Sequence, residues 1–385
     1  MILLKTTTFL FFLSFIATTT FAQQTINASI THDGIQRSYI LYVPANYTGN
    51  SAVPLLFNFH GYGSNANEQM WYGDFRPIAD TADFIIVHPQ GTIDANGATH
   101  FNVGWGGSNI DDVDFTSALI DSLLLEYVID EERIYSTGMS NGGFMSFLLA
   151  CELSSRIAAI GSVTGSALPA TLNSCSASLP TPVLQIHGTA DPTVPYNGAA
   201  GWTEPIGSLV SYWVNFNNCD AAPQVVAMPD ISPSDGSTVE KITYINGYNC
   251  NEVVHYKVTN GAHTWPGTIF TSTGTNQDIN ASVEVWNFVS RYTINGLINC
   301  PSLDLLEEKT KRFNVFPNPS VNGVFKVEMT EEINSMQLFD LQGRKLNVPI
   351  DIKNKTIDGT SLADGKYLLQ IETKQSILTK EIIIL

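Results

Sequence analysis

Ser140 stands in Gly138-Met139-Ser140-Asn141-Gly142, a G-x-S-x-G frame between an apolar run ending at Thr137 and a helix-like run from Phe144 to Ala150. Strand, sharp turn and helix give that frame a mechanical meaning. The turn forces the serine into a strained backbone geometry and lifts its hydroxyl above a sheet, and the glycines remove Cβ atoms that would collide. A serine attacks a carbonyl only as it loses its proton, so a base is required. Of the seven histidines, His263 is the best placed, in the glycine-bounded loop Asn260–Gly267 that follows the extended run Val253–Val258. His255 lies inside that run and reads as structural, and His187 reads as a support for its own loop. The acid that holds the imidazole tautomer is expected at Asp191, in a tight turn after Val183–Ile186. An oxyanion needs N–H donors. The backbone N–H of Asn141 supplies one, and that of Tyr62, in His60-Gly61-Tyr62-Gly63 after Leu55–Phe59, is the candidate for the second. Trp105, Trp202 and Trp265 are candidates for an aromatic substrate wall, whereas Trp213 and Trp286 fall on helical runs and read as core.

These groups need a scaffold. Between about Ile26 and Leu306, extended runs at Ser38–Val43, Leu55–Phe59, Phe84–Val87, Arg133–Thr137, Ile160–Val163, Val183–Ile186 and Val253–Val258 alternate with helical ones. Helical periodicity appears at Val113–Tyr127, Phe144–Leu153, Ile206–Phe216 and Val283–Tyr292. Several extended runs are apolar throughout, as strands covered on both faces must be. The pattern predicts a doubly wound α/β domain with its site at the carboxyl ends of the strands. Asp111, Asp112 and Asp114 open a helical run and read as capping residues, not a metal cluster. From Phe313 the character changes to short alternating runs at Phe325–Met329, Met336–Leu341 and Tyr367–Ile371, which predict a small all-β sandwich. That segment holds no histidine or cysteine. The expected layout is a signal peptide at 1–22, an α/β domain at 23–300, a polar linker at 301–312 and the β module at 313–385.

The signal peptide is read from a short basic start, an apolar stretch from Phe9 to Ala17 and a small residue at Ala22. It implies export, with no transmembrane segment left in the mature chain. Residues 23–306 carry 7 basic against 25 acidic side chains, net −18, which argues against nucleic acid or an anionic membrane as partner. The segment from Glu307 onward is balanced, with 11 of each sign. Five cysteines would meet an oxidising compartment, and no Cys/His spacing suits a metal. Cys219 and Cys250 both follow asparagine in polar stretches; joining them would close a loop of about 30 residues, for roughly 3–4 kcal/mol. Cys151 and Cys175 form a second possible pair unless Cys151 is core, which leaves Cys300 as the odd residue.

With these residues in place, the chain resembles the secreted esterases that group polyhydroxybutyrate depolymerase-like proteins with feruloyl and acetyl-xylan esterases of carbohydrate esterase family 1. The matching stretches are Arg37–Pro44, His60–Gly63, Asp111-Asp112-Val113, Arg133–Gly143, His187–Asp191 and Gly261–Gly267. The resemblance implies an α/β-hydrolase fold, whose chain order of nucleophile, acid and base is that of Ser140, Asp191 and His263. It also implies no cofactor and makes Cys219–Cys250 a plausible bridge. One departure is the loop Gly104-Trp105-Gly106-Gly107, where many relatives carry more asparagine or cysteine. The last module resembles the C-terminal sorting domain of type IX secretion, through Phe316-Pro317-Asn318-Pro319, Leu341-Gln342-Gly343-Arg344, Gly365-Lys366-Tyr367 and the final apolar strand. That likeness names the secretion machinery as a partner and places the protein outside the cell or on its surface. The expected activity is hydrolysis of feruloyl or acetyl esters on plant cell-wall polysaccharide. The alternatives are a polyhydroxyalkanoate hydrolase and, in another class, a non-catalytic surface protein that binds glycan.

Overall fold

A computed structural model describes residues 23–300 and 313–385, apart from 330, 342, 375 and 376. The expected signal peptide and linker lie outside the described residues. The chain divides after Cys300 into two compact units.

The first unit is built on strands β1 (Gln24–His32), β2 (Ile35–Val43), β3 (Val53–Phe59) and β4 (Ile85–Pro89), with a small hairpin of β5 (Thr92–Ile93) and β6 (Thr99–His100). It continues through β7 (Ile129–Met139), β8 (Ala159–Val163), β9 (Val183–Gly188), β10 (Gln224–Ala227), β11 (Thr238–Tyr244) and β12 (Val253–Thr259). Ten of these form one sheet in the order β1-β2-β4-β3-β7-β8-β9-β12-β11-β10. Its centre, from β4 to β12, is parallel, and both edges are antiparallel. Helices α1 (Ala66–Tyr72), α2 (Arg76–Ala82), α3 (Asp112–Glu126), α4 (Asn141–Glu152), α5 (Pro169–Ser174), α6 (Ile206–Phe216) and α7 (Ala281–Val289) connect and cover it. Successive side chains of β3 point to opposite faces. Leu55, Phe57 and Phe59 join the core shared with α3, α4 and α6, and Leu56 joins the one shared with α2 and α7. Both faces are therefore dry, which accounts for the unbroken apolar runs.

The chain leaves β3 for β4 on one side and returns to β7 on the other. A crevice opens where the winding reverses, beyond the carboxyl ends of β3 and β7. His60–Gly63 follow β3 and Ser140 follows β7, so both loops meet at that crevice. Each extended run named from the sequence between Ser38 and Val258 falls on a strand of this sheet, with Phe84 one residue ahead of β4. β1 and β10, the polar or exposed edges of the sheet, and the half-buried β11 beside β10 carry too little apolar signal to stand out in the sequence.

The cysteine pairing departs from expectation. The disulfides are Cys151–Cys175 and Cys250–Cys300, and Cys219 is free. Cys219 does reach the turn Tyr248–Cys250, but its sulfur faces the Asn251 carbonyl, 3.6 Å away, and packs against the backbone of Gly247. Cys250, at φ 58° in the left-handed region, turns its side chain toward Cys300 instead. Cys300 is presented by a short hairpin, β13 (Tyr292–Thr293) and β14 (Gly296–Leu297), through its N–H bond to the Leu297 carbonyl.

The second unit consists of two four-stranded antiparallel sheets. One orders β15 (Asn314–Phe316), β16 (Val324–Glu328), β20 (Thr356–Asp358) and β19 (Ile350–Asp351). The other orders β18 (Lys345–Leu346), β17 (Ile333–Phe339), β21 (Gly365–Thr373) and β22 (Ile377–Ile384). Phe325 and Ile357 from the first sheet and Leu338, Leu369 and Ile371 from the second close a shared core. This is the small all-β sandwich expected of the alternating runs.

Candidate active site

Ser140 sits between β7 and α4 at φ 54° and ψ −117°. A non-glycine residue held there stores about 1–3 kcal/mol of strain. Its N–H donates to the Val163 carbonyl at 2.9 Å, which ties the elbow to β8. The glycines on either side are required by space. A Cβ on Gly138 would lie 2.6 Å from the Phe59 carbonyl oxygen, and one on Gly142 would run into that same carbonyl. Helix α4 therefore starts in direct backbone contact with the end of β3.

The imidazole of His263 lies on the loop after β12, and its Nδ1 is 2.8 Å from Asp191 Oδ2. Asp191 is fully enclosed, and its Oδ1 accepts the backbone N–H groups of Thr193 and Val194 at 2.8 and 2.9 Å. Both oxygens are thus occupied, one by the loop and one by the ring. With Nδ1–H pointed at the carboxylate, Nε2 remains as the basic nitrogen. Ser140 and His263 line the same cleft.

The other histidines named from the sequence have structural partners. His187 Nε2–H donates to the Val194 carbonyl at 2.9 Å, and Nδ1 accepts from Gln185. Burial holds its pKa below the usual imidazole value, so it stands as a neutral wall 3.4 Å behind Asp191. His255 donates through Nδ1 to the Gln185 carbonyl and accepts at Nε2 from the Tyr196 hydroxyl; burial lowers it to about 4.

Neither the Tyr62 nor the Asn141 backbone N–H finds an acceptor among the described residues. The peptide carrying the Tyr62 N–H is clamped from its other end. His60 Nδ1–H donates to the Gly61 carbonyl at 2.7 Å, and the Ser64 N–H donates to it at 3.1 Å. His60 Nε2 in turn accepts the Gly91 N–H at 2.9 Å, and burial lowers its pKa to about 4, which keeps it neutral. A peptide whose C=O is fixed on one side presents its N–H on the other. The Asn141 side chain also has a role that the sequence did not reveal. Its Oδ1 accepts the Phe101 N–H at 2.7 Å and its Nδ2 donates to the Phe101 carbonyl at 3.0 Å, which moors the segment leading to Trp105.

Trp105 and Trp202 stack with ring centroids 6.2 Å apart and line a cavity that also contains Ser140. The positive φ angles of Gly104, Gly106 and Gly107 shape the loop that holds Trp105. Trp265 does not join them. It is 1% exposed, its Nε1–H bonds Ser282 Oγ at 3.1 Å and its ring meets Phe75 edge-on. It is a core residue, drawn inward because the loop after β12 turns over α7. The three acids also separate. Asp111 caps α3 through the Asp114 N–H, and Asp112 is buried against Arg37 at 2.5 Å and accepts the Asn102 N–H, whereas Asp114 lies at the surface, 3.4 Å from His32.

Comparison with known proteins agrees with this architecture. Residues 108–220 match the Phospholipase/Carboxylesterase family and residues 314–385 the Secretion system C-terminal sorting domain. A bifunctional acetylxylan esterase/xylanase of Neocallimastix patriciarum is 27% identical over 289 residues, covering 72% of this chain and 36% of the relative. Feruloyl esterase D of Neurospora crassa is 27% identical over 284 residues, covering 70% of this chain and 86% of the relative. Among solved structures, the acetyl xylan esterase from Aspergillus awamori aligns with 69% of this chain and 99% of its own, with 12% identity and a TM-score of 0.47. The first unit thus matches a carboxylesterase family over residues 108–220 and is similar to feruloyl and acetylxylan esterases, and residues 314–385 match a secretion-system sorting domain.

Proposed function

We propose that the protein is an extracellular serine esterase that cleaves feruloyl or acetyl esters from plant cell-wall polysaccharide. The observation that carries the mechanism is the 2.8 Å contact of Asp191 with His263 Nδ1, in a cleft that His263 shares with the strained Ser140. Ser140 Oγ attacks the ester carbonyl as His263 Nε2 takes its proton. Asp191 stabilises the imidazolium that forms. The N–H groups of Tyr62 and Asn141 receive the oxyanion, each worth about 10²–10³ in rate. His263 then protonates the departing alcohol, and water, activated by the same nitrogen, releases the acid from Ser140. The choice of cell-wall esters rests on the esterase relatives and on the Trp105–Trp202 pair, whose flat surface suits a phenolic acyl group.

A fluorophosphonate probe followed by peptide mapping tests the chemistry. Labelling is expected at Ser140 and absent in Ser140→Ala; a wild type that is not labelled overturns the esterase assignment. Turnover of methyl ferulate, acetylated xylan and a hydroxybutyrate oligomer then ranks the substrates, and a preference for the oligomer would favour a polyester hydrolase. The sorting domain is proposed to direct export through the type IX machinery. Deleting residues 313–385 is expected to leave kcat/KM within twofold and to strand the enzyme in the periplasm. Continued release of the truncated chain to the medium would refute that role.

A further inference from the structure

Two cavities meet at the nucleophile, and only one of them contains the base. Ser140 and Tyr62 border both. The larger, about 550 Å³, holds His263 and extends past Glu68, Trp71, Tyr72 and Phe270. The smaller, about 350 Å³, holds Trp105 and Trp202 and lacks His263. Ester hydrolysis assigns them different tasks. The first step forms the bond from Ser140 Oγ to the carbonyl carbon. Its collapse breaks the bond to the alcohol oxygen, which must collect from His263 Nε2 the proton that left Oγ. The leaving alcohol therefore lies on the His263 side, and the acyl chain that stays on Oγ occupies the opposite side.

From this partition, which rests on the esterase reading above, we infer that the larger cavity is a carbohydrate subsite for the alcohol half of the substrate and that the smaller one holds the acyl group. The surface on the His263 side has the matching chemistry. Trp71, 46% exposed, and Phe270, 51% exposed, both open onto this one cavity, where paired exposed rings suit a ligand. Trp71 is also held ready. The Arg76 guanidinium lies 3.8 Å over its ring and is itself gripped by both oxygens of Asp74, at 2.9 and 2.8 Å. A fixed aromatic platform offers an apolar face to the C–H side of a sugar ring with little ordering entropy left to lose. The exposed Glu68 carboxylate, which accepts from Ser64 Oγ at 2.6 Å, has further lone pairs for sugar hydroxyls. The smaller cavity falls at the low end of the about 300–1,000 Å³ usual for ligand pockets, a size for one acyl group and not a polymer.

The test compares two feruloyl esters that differ only in the alcohol, methyl ferulate and feruloylated arabinoxylo-oligosaccharide. Trp71→Ala and Phe270→Ala are expected to raise KM for the oligosaccharide ester about tenfold with kcat kept, the pattern of lost uniform binding, and to change methyl ferulate kinetics less than twofold. Trp202→Ala is expected to lower kcat/KM for both esters alike. The partition is overturned if Trp71→Ala and Phe270→Ala impair methyl ferulate as much as the oligosaccharide, or if Trp202→Ala spares methyl ferulate. A wild type that cleaves p-nitrophenyl acetate but neither feruloyl ester overturns the feruloyl specificity instead. The same variants, compared on acetylated xylo-oligosaccharide and p-nitrophenyl acetate, then decide the partition by the same criterion.

Discussion

Asp191→Asn isolates the tautomer control on which the proposed mechanism depends. The substitution keeps the side chain's size and removes one charge. Which end of the new amide faces which partner follows from the geometry. Oδ1 accepts two backbone N–H groups, from Thr193 and Val194 at 2.8 and 2.9 Å, so the amide oxygen must stay there. The reverse orientation would set the amide NH₂ against two donors in a fully enclosed site, at about 1–3 kcal/mol for each unsatisfied group. The NH₂ therefore replaces Oδ2 and directs a hydrogen at His263 Nδ1, 2.8 Å away. The ring answers by carrying its proton on Nε2, where it has no lone pair for the Ser140 hydroxyl. A loss of about 10⁴ in kcat is expected, which at 1.36 kcal/mol per decade is about 5.5 kcal/mol of barrier. Stability should hardly move, because both loop hydrogen bonds persist and His187 keeps the Val194 carbonyl as its own acceptor. The assay is kcat on p-nitrophenyl acetate beside a thermal melt, with Tm expected within about 3 °C of wild type. A folded Asp191→Asn enzyme within tenfold of wild-type kcat would refute the reasoning.

Three further outcomes follow from the same structure. Gly142→Ala must push its new methyl into the Phe59 carbonyl, so it should cost about 1–3 kcal/mol or more and lower kcat by displacing the loop that carries Tyr62; an unchanged melt would contradict this packing. Alkylation after unfolding without reductant should label Cys219 alone, and label on Cys300 with none on Cys219 would restore the pairing of Cys219 with Cys250. Acid should destabilise the fold well before its carboxylates protonate. His60 and His255 are lowered by burial to about 4 and His88 to about 3, whereas the unfolded chain binds these protons near pH 6.5. The stabilisation is full above pH 6.5 and is lost as pH falls from there to about 4, by on the order of 3 kcal/mol for each such histidine. Denaturant midpoints that agree at pH 7 and pH 4.5 would show that these side chains are not buried.

The residues of the site could be singled out in the sequence because each follows an extended run with an apolar stretch in it. Phe59, Met139, Gly188 and Thr259 end strands of the central sheet, and the chemical residues stand within the next few positions. Apolar runs covered on both faces carry the strongest local signal a chain offers, and chain order restricted which acid could serve which base. Trp265 shows the limit of that logic. It lies two residues from His263 and shares its loop, yet it turns into the core to bond Ser282, because proximity along a loop says nothing about the direction of a side chain.

By itself, then, the sequence determined the doubly wound α/β body, the all-β tail, and the residue types and order that make an esterase the expected reading. These features are local: hydrophobic period, glycine at a strained turn, acid and base next to strand ends. Tertiary structure alone decided which cysteines meet, that His60 clamps the Gly61–Tyr62 peptide, that Asn141 moors Phe101, and that Arg76 fixes Trp71 at the rim of the cleft on the base side. Most of these contacts join segments far apart in the chain, and all depend on side-chain direction as well as position. Their energies depend on distances of a few ångströms that only packing of the whole sheet and its helices sets.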